Sequence, residues 1–217
     1  MALARAVVFQ PTLLLLDEPF GALDRKLREA MQLEVRRLQQ RLGLTTLFIT
    51  HDQEEALVMS DRIAVMDHGK LEQVGLPRDI YESPASPLVA DFVGESNILA
   101  GTVEAGGADP TVRLDLGPVV RVAADGPRPE TGRKVRILLR PERLFDAATD
   151  AAPDNRIAGT VAESIYLGLS DKYRLRTAEG LELLARFPAA RTARRYAAGD
   201  AIAVGFHAAD AHIIEVR

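Results

Sequence analysis

The chain has 217 residues, 47% of them apolar, and a net charge of −4, enough for one or two domains with a sizeable core. That charge balance gives no electrostatic case for nucleic-acid binding, because no basic stripe outweighs the acids. There is no cysteine, which excludes disulfides, thiol catalysis and cysteine metal sites and fits a reducing compartment. No apolar run approaches a membrane span and no signal peptide is legible, so a soluble chain is expected, reaching a membrane only through a partner.

Residues 1–9 (MALARAVVF) are short, apolar and helix-prone. Leu13 to Leu16 form four leucines without alternation, which predicts a parallel-type strand buried on both faces. Asp17 and Glu18 follow at its carboxyl end, where α/β sheets place their ligands, and Pro19 prevents simple continuation. Asp24 is placed to cap a helix. Leu27, Met31, Val35, Leu38 and Leu42 recur at helical spacing as one apolar stripe, with Gly43 as the stop. Arg25, Lys26, Arg28, Arg36, Arg37 and Arg41 lie off the stripe and read as a solvated basic face. Leu44 to Thr50 is β-branched and apolar, a second buried strand. His51 sits just past it, and Asp52 with Glu55 reads as an N-cap and third-position pair opening the next helix.

Asp61 to Asp67 and Lys70 to Val74 read as a hairpin turning at His68-Gly69. Pro77 to Tyr81 opens a short helix, Ser83 to Pro87 breaks it, and Leu88 to Val93 forms a last helical turn. From Ile98 the pattern changes to strand-sized runs between Gly, Pro and Asp turns, among them Val112–Leu116, Val135–Leu139, Tyr173–Leu175 and Ile202–Val204. Many short strands predict a β-sandwich or barrel. Ala100-Gly101-Thr102-Val103 recurs as Ala158-Gly159-Thr160-Val161, and the strand after Gly132 has a counterpart after Gly199. Two similar halves in one β domain would explain this echo.

The order of these motifs resembles the ATPase subunit of an ABC importer. Leu13 to Asp17 is similar to the Walker B strand, Glu18 to the catalytic glutamate, Gly21-Ala22-Leu23-Asp24 to the D-loop and His51 to the switch histidine. The resemblance implies the C-terminal portion of a P-loop ATPase domain over 1–96, and a TOBE-type regulatory domain with an OB-like β-barrel over 97–217. Arg140-Pro141-Glu142 and Tyr166-Leu167-Gly168 carry the second part of that likeness. Phe92 to Asn97 most resembles the spermidine/putrescine importers, whereas Asp17 to Asp24 is shared with sulfate, molybdate and ferric-iron importers.

What the resemblance implies about function is ATP hydrolysis driving uptake, most often of a polyamine. Asp17 would hold Mg²⁺, Glu18 would act on the attacking water, His51 would sense the γ-phosphate, and Asp24 would act across a dimer of two copies. Membrane permease subunits and, indirectly, a substrate-binding protein are the implied partners, at the inner face of the cell membrane. The phosphate-binding loop and the LSGGQ signature do not occur in this sequence, so the isolated chain is expected to hydrolyse no ATP. The strand Leu44 to Thr50 is likewise expected to lack a neighbour. The alternative is a ligand-sensing β module or a dimerisation fragment without catalysis.

Overall fold

The computed structural model describes residues 11–107, 110–123, 129–148, 152–190 and 194–216. The helix-prone segment 1–9 lies outside them. The chain forms two compact units, residues 1–82 and 83–217, and the architecture is mixed α/β with several sheets.

In the first unit β1 (Leu13–Asp17) pairs in parallel with β2 (Thr45–Ile49), Leu13 opposite Thr45 and Asp17 opposite Ile49. This sheet has two strands, so among the described residues β2 has β1 on one side and no strand on the other, the open edge expected of it. The connection is α1 (Arg25–Leu42), capped by the Asp24 carboxylate on the Leu27 amide and ended by Gly43 at φ 63°. That left-handed turn favours glycine. α2 (Gln53–Met59) follows β2. Phe20, Val35 and Met59 form a small core, with Leu16, Leu23 and Phe48 against it.

Burial on both strand faces is not what the structure shows. Leu13, Leu15, Leu47 and Ile49 are exposed while Leu14 is buried. Side chains alternate across a strand, and α1 with α2 supplies apolar cover to one face of the pair. The stripe on α1 is corrected likewise: Val35 and Gln32 are buried, whereas Leu27, Met31 and Leu42 are exposed, because the contact surface of a two-stranded sheet is narrower than the stripe. β3 (Ile63–Asp67) and β4 (Lys70–Gly75) form the expected hairpin, with His68 at φ 44° and Gly69 at φ 78° in its turn. α3 (Pro77–Glu82) closes this unit.

The second unit begins with α4 (Pro87–Phe92), capped by Ser86. β5 (Asn97–Ala105), β6 (Thr111–Leu114), β7 (Val119–Arg121), β8 (Lys134–Leu139) and β9 (Phe145–Asp146) are followed by β10 (Asn155–Tyr166), β11 (Ser170–Arg176), β12 (Glu182–Pro188), β13 (Ala201–Phe206) and β14 (Ala211–Val216). One sheet runs β14-β8-β5-β6-β7 and the other β9-β13-β10-β11-β12. These orders are the same pattern written twice, with the last strand of each half exchanged: β9 joins β13, and β14 joins β8. Both sheets share one core, from Leu99, Val103 and Ile137 to Ile157, Tyr173 and Phe206.

The sequence echo has a geometric cause. A Cβ on Gly101 would lie 2.5 Å from the Arg113 carbonyl oxygen, and one on Gly159 2.8 Å from that of Arg176. Each central strand therefore needs glycine where its neighbour crosses closely. Gly132 and Gly199, both at positive φ, repeat one device: their amides donate to Val103 and Val161 carbonyls. Asn97 and Asn155 are also counterparts. The first bonds Leu184 in β12 through its backbone N–H and carbonyl, and the second bonds Arg121 in β7 in the same way. Each half thus holds the other's edge strand.

Candidate active site

Glu18 and His51 stand at the carboxyl ends of the paired strands. The Glu18 amide donates to the Ile49 carbonyl at 2.9 Å, extending the β1–β2 ladder by one residue. Glu18 then turns to φ 42°, a left-handed conformation that costs a non-glycine residue about 1 kcal/mol or more. Beyond that turn His51 Nδ1 lies 2.8 Å from Glu18 Oε1, with the ring nitrogen as donor because a carboxylate only accepts. Both side chains are exposed. The hydrogen bond to Glu18 raises the imidazole pKa above its ordinary value, and the charges of Glu18, Asp52 and Glu55 add to it.

The Asp52–Glu55 pair differs in detail from a capping box. The Asp52 carboxylate accepts from the Glu55 amide at 3.2 Å, as expected. The Asp52 amide, however, donates to Thr50 Oγ1, and that hydroxyl donates to Glu55 Oε2 at 2.8 Å. Thr50 takes the place that the Glu55 carboxylate would fill in the standard arrangement. Glu55 is 3% exposed. The Thr50 hydroxyl was not legible as the partner of Glu55 and of the Asp52 amide, although a hydroxyl directly before the histidine is a local signal for one.

Asp17 ends β1 and is exposed. Asp24 is engaged in its cap, Oδ1 accepting from the Leu27 amide at 3.0 Å. Among the described residues no hydrogen bond joins Asp17 or Asp24 to the Glu18–His51 pair. No cluster of three or more metal-ligating side chains occurs among the described residues. A Mg²⁺ bound with nucleotide needs only one or two carboxylates, with waters and phosphate oxygens completing the shell. An exposed carboxylate at a strand end, as Asp17 is, fits that demand.

No described helix is long and apolar enough to cross a membrane. Residues 137–214 match the TOBE domain family. The spermidine/putrescine import ATP-binding protein PotA of Rubrobacter xylanophilus is 48% identical over 210 residues, covering 96% of this chain and 55% of that protein. Its counterpart in Thermobifida fusca is 48% identical over 185 residues, 85% of this chain and 48% of that one. PotA 1 of Pseudomonas aeruginosa is 46% identical over 203 residues, 93% and 54%. The chain therefore spans about half the length of the curated relatives it matches. Over nearly all its own residues the chain is similar to spermidine/putrescine import ATP-binding proteins, and its residues 137–214 match the TOBE domain family.

Proposed function

We propose that the chain serves in ATP hydrolysis coupled to polyamine import, as part of the ATP-binding subunit of an ABC transporter. The observation that carries the reading is the 2.8 Å contact between Glu18 and His51 at the ends of two parallel strands, where α/β sheets do their chemistry. The residues 1–96 correspond in this reading to the C-terminal portion of a P-loop ATPase domain, and 97–217 to its β regulatory domain.

In the proposed step a water oxygen attacks the γ-phosphorus of ATP. The bond to the β–γ bridging oxygen breaks and ADP leaves. Glu18 orients the water and takes its proton, while His51, protonated more readily because of Glu18, donates to a γ-phosphate oxygen. Mg²⁺ held through Asp17 would supply neutralisation of phosphate charge. Asp24 acts across an interface with a second copy of the subunit. The permease subunits and, through them, a substrate-binding protein complete the assembly at the inner face of the cell membrane. The similarity to spermidine/putrescine subunits supports polyamine as cargo.

The test is Glu18→Gln in the assembled transporter. The variant keeps the shape but loses the charge that acts on the water. Turnover should fall by about 10² to 10⁴ while ATP binding persists. Hydrolysis at the parent rate would remove Glu18 from the reaction.

A further inference from the structure

The solvated-face reading of the α1 cations fails at Arg28. Its Nη2 donates to the Leu23 carbonyl at 3.1 Å, and its Nη1 to Asp52 Oδ2 at 3.0 Å. Its Nε faces Glu55 Oε1 at 3.9 Å. One guanidinium thus hydrogen-bonds two acceptors, one in the Gly21–Asp24 segment and one in the loop after His51, and faces a third, the Glu55 carboxylate, as an ion pair in which Nε makes no hydrogen bond. Only a planar fork with several fixed N–H groups can do this.

The contacts of Thr50 and Asp52 place the residues on both sides of His51 in one closed set of hydrogen bonds. Arg28 anchors that set to α1. His51 itself is exposed and held at its tip by Glu18. A single exposed contact of this kind contributes little, so the position of the ring depends on how firmly its backbone is held.

We propose that Arg28 is a positioning residue: it ties the Gly21–Asp24 segment to the His51 loop, so that His51 stands opposite Glu18. This rests on the hydrolytic reading of that pair. Because Leu23 precedes Asp24, the same guanidinium makes any shift of the Gly21–Asp24 segment felt at His51. A misplacement of about 1 Å in a catalytic group costs on the order of 10²-fold in rate.

The experiment compares Arg28→Met, Arg28→Lys and the exposed-helix control Arg25→Met. The first readout is the imidazole ¹⁵N and ¹H spectrum of His51 in the full chain. The parent and Arg25→Met should show a hydrogen-bonded Nδ1–H distinct from Nε2. In Arg28→Met the two should move to the averaged signals of a free imidazole. The second readout is ATP turnover by the assembled transporter. Arg28→Met should lower kcat by at least about 10-fold with KM for ATP within about twofold. Lys, which can satisfy some but not all three acceptors, should recover part of the loss. If Arg28→Met fails to fold, Arg28→Gln carries the test: it is neutral, keeps a donor for the Leu23 carbonyl and should lose the same rate. An unchanged His51 spectrum with unchanged kcat overturns the proposal. So does a loss confined to KM. Should the parent transporter hydrolyse nothing while the His51 spectrum still depends on Arg28, the hydrolytic reading fails and the tie between segment and loop stands.

Discussion

Replacing Asn97 by alanine tests how the two halves of the β unit hold each other. Asn97 is 5% exposed at the start of β5. Its Nδ2 donates to Leu184 O at 2.8 Å and to Leu139 O at 3.1 Å, and its Oδ1 accepts from the Leu184 amide at 2.7 Å. Leu184 lies in β12, an edge strand whose other side pairs with Arg174. Truncation removes three bonds, each worth about 1 kcal/mol net. It also leaves the outward backbone groups of Leu184 without their protein partner. Leu139 O keeps its place in the β8 ladder, and the cavity of about 400 Å³ lined by Asn97 and Leu184 lets water reach the freed groups, so the cost stays near the sum of the bonds. The expected loss is about 2–3 kcal/mol, or roughly 8–12 °C in Tm for a unit of this size. Asn97→Asp should be worse at neutral pH, since it keeps the acceptor but sets a buried charge against two carbonyl oxygens. It should recover as the pH falls and the carboxyl gains a proton to donate. Urea unfolding followed by circular dichroism gives the free energy, and hydrogen exchange reports the Leu184 amide. A stability of Asn97→Ala within ~0.5 kcal/mol of the parent, with the Leu184 amide still protected, would refute the reasoning.

Two further outcomes follow from the same unit. Gly101→Ala sets a Cβ 2.5 Å from the Arg113 carbonyl oxygen and 2.7 Å from Val112 Cγ1, so a loss of about 1–3 kcal/mol is expected, read by thermal unfolding; parent stability would show that β5 and β6 can separate freely. Tyr196 is buried with its hydroxyl donating to Asp146, and burial, then Asp146, push its pKa up to about 12. The folded chain thus keeps the phenol neutral where the unfolded chain ionises near pH 10. This contribution is complete below about pH 10 and is lost as the pH rises towards 12. Tyr196→Phe should remove that alkaline dependence, and tyrosinate absorbance should lose its latest-titrating group; an unchanged alkaline limb would refute it.

Local chemistry was legible wherever it is written in consecutive residues. The Asp24 cap, the Gly43 stop, the His68-Gly69 turn and the position of Glu18 and His51 just past apolar runs all follow from residue type and spacing, because caps and turns are satisfied within a few residues. The echo of Ala-Gly-Thr-Val likewise announced two halves. Tertiary structure decided what depends on partners distant in the chain. Four leucines cannot say which face will be covered, and here Leu14 is buried while Leu13 and Leu15 are not. A row of arginines on a helix cannot say that Arg28 will meet Asp52, 24 residues away. Nor can two repeated strings say that their last strands will be exchanged. Such pairings are set by which surfaces meet after the chain has folded back on itself, and sequence order fixes the pieces but not those meetings.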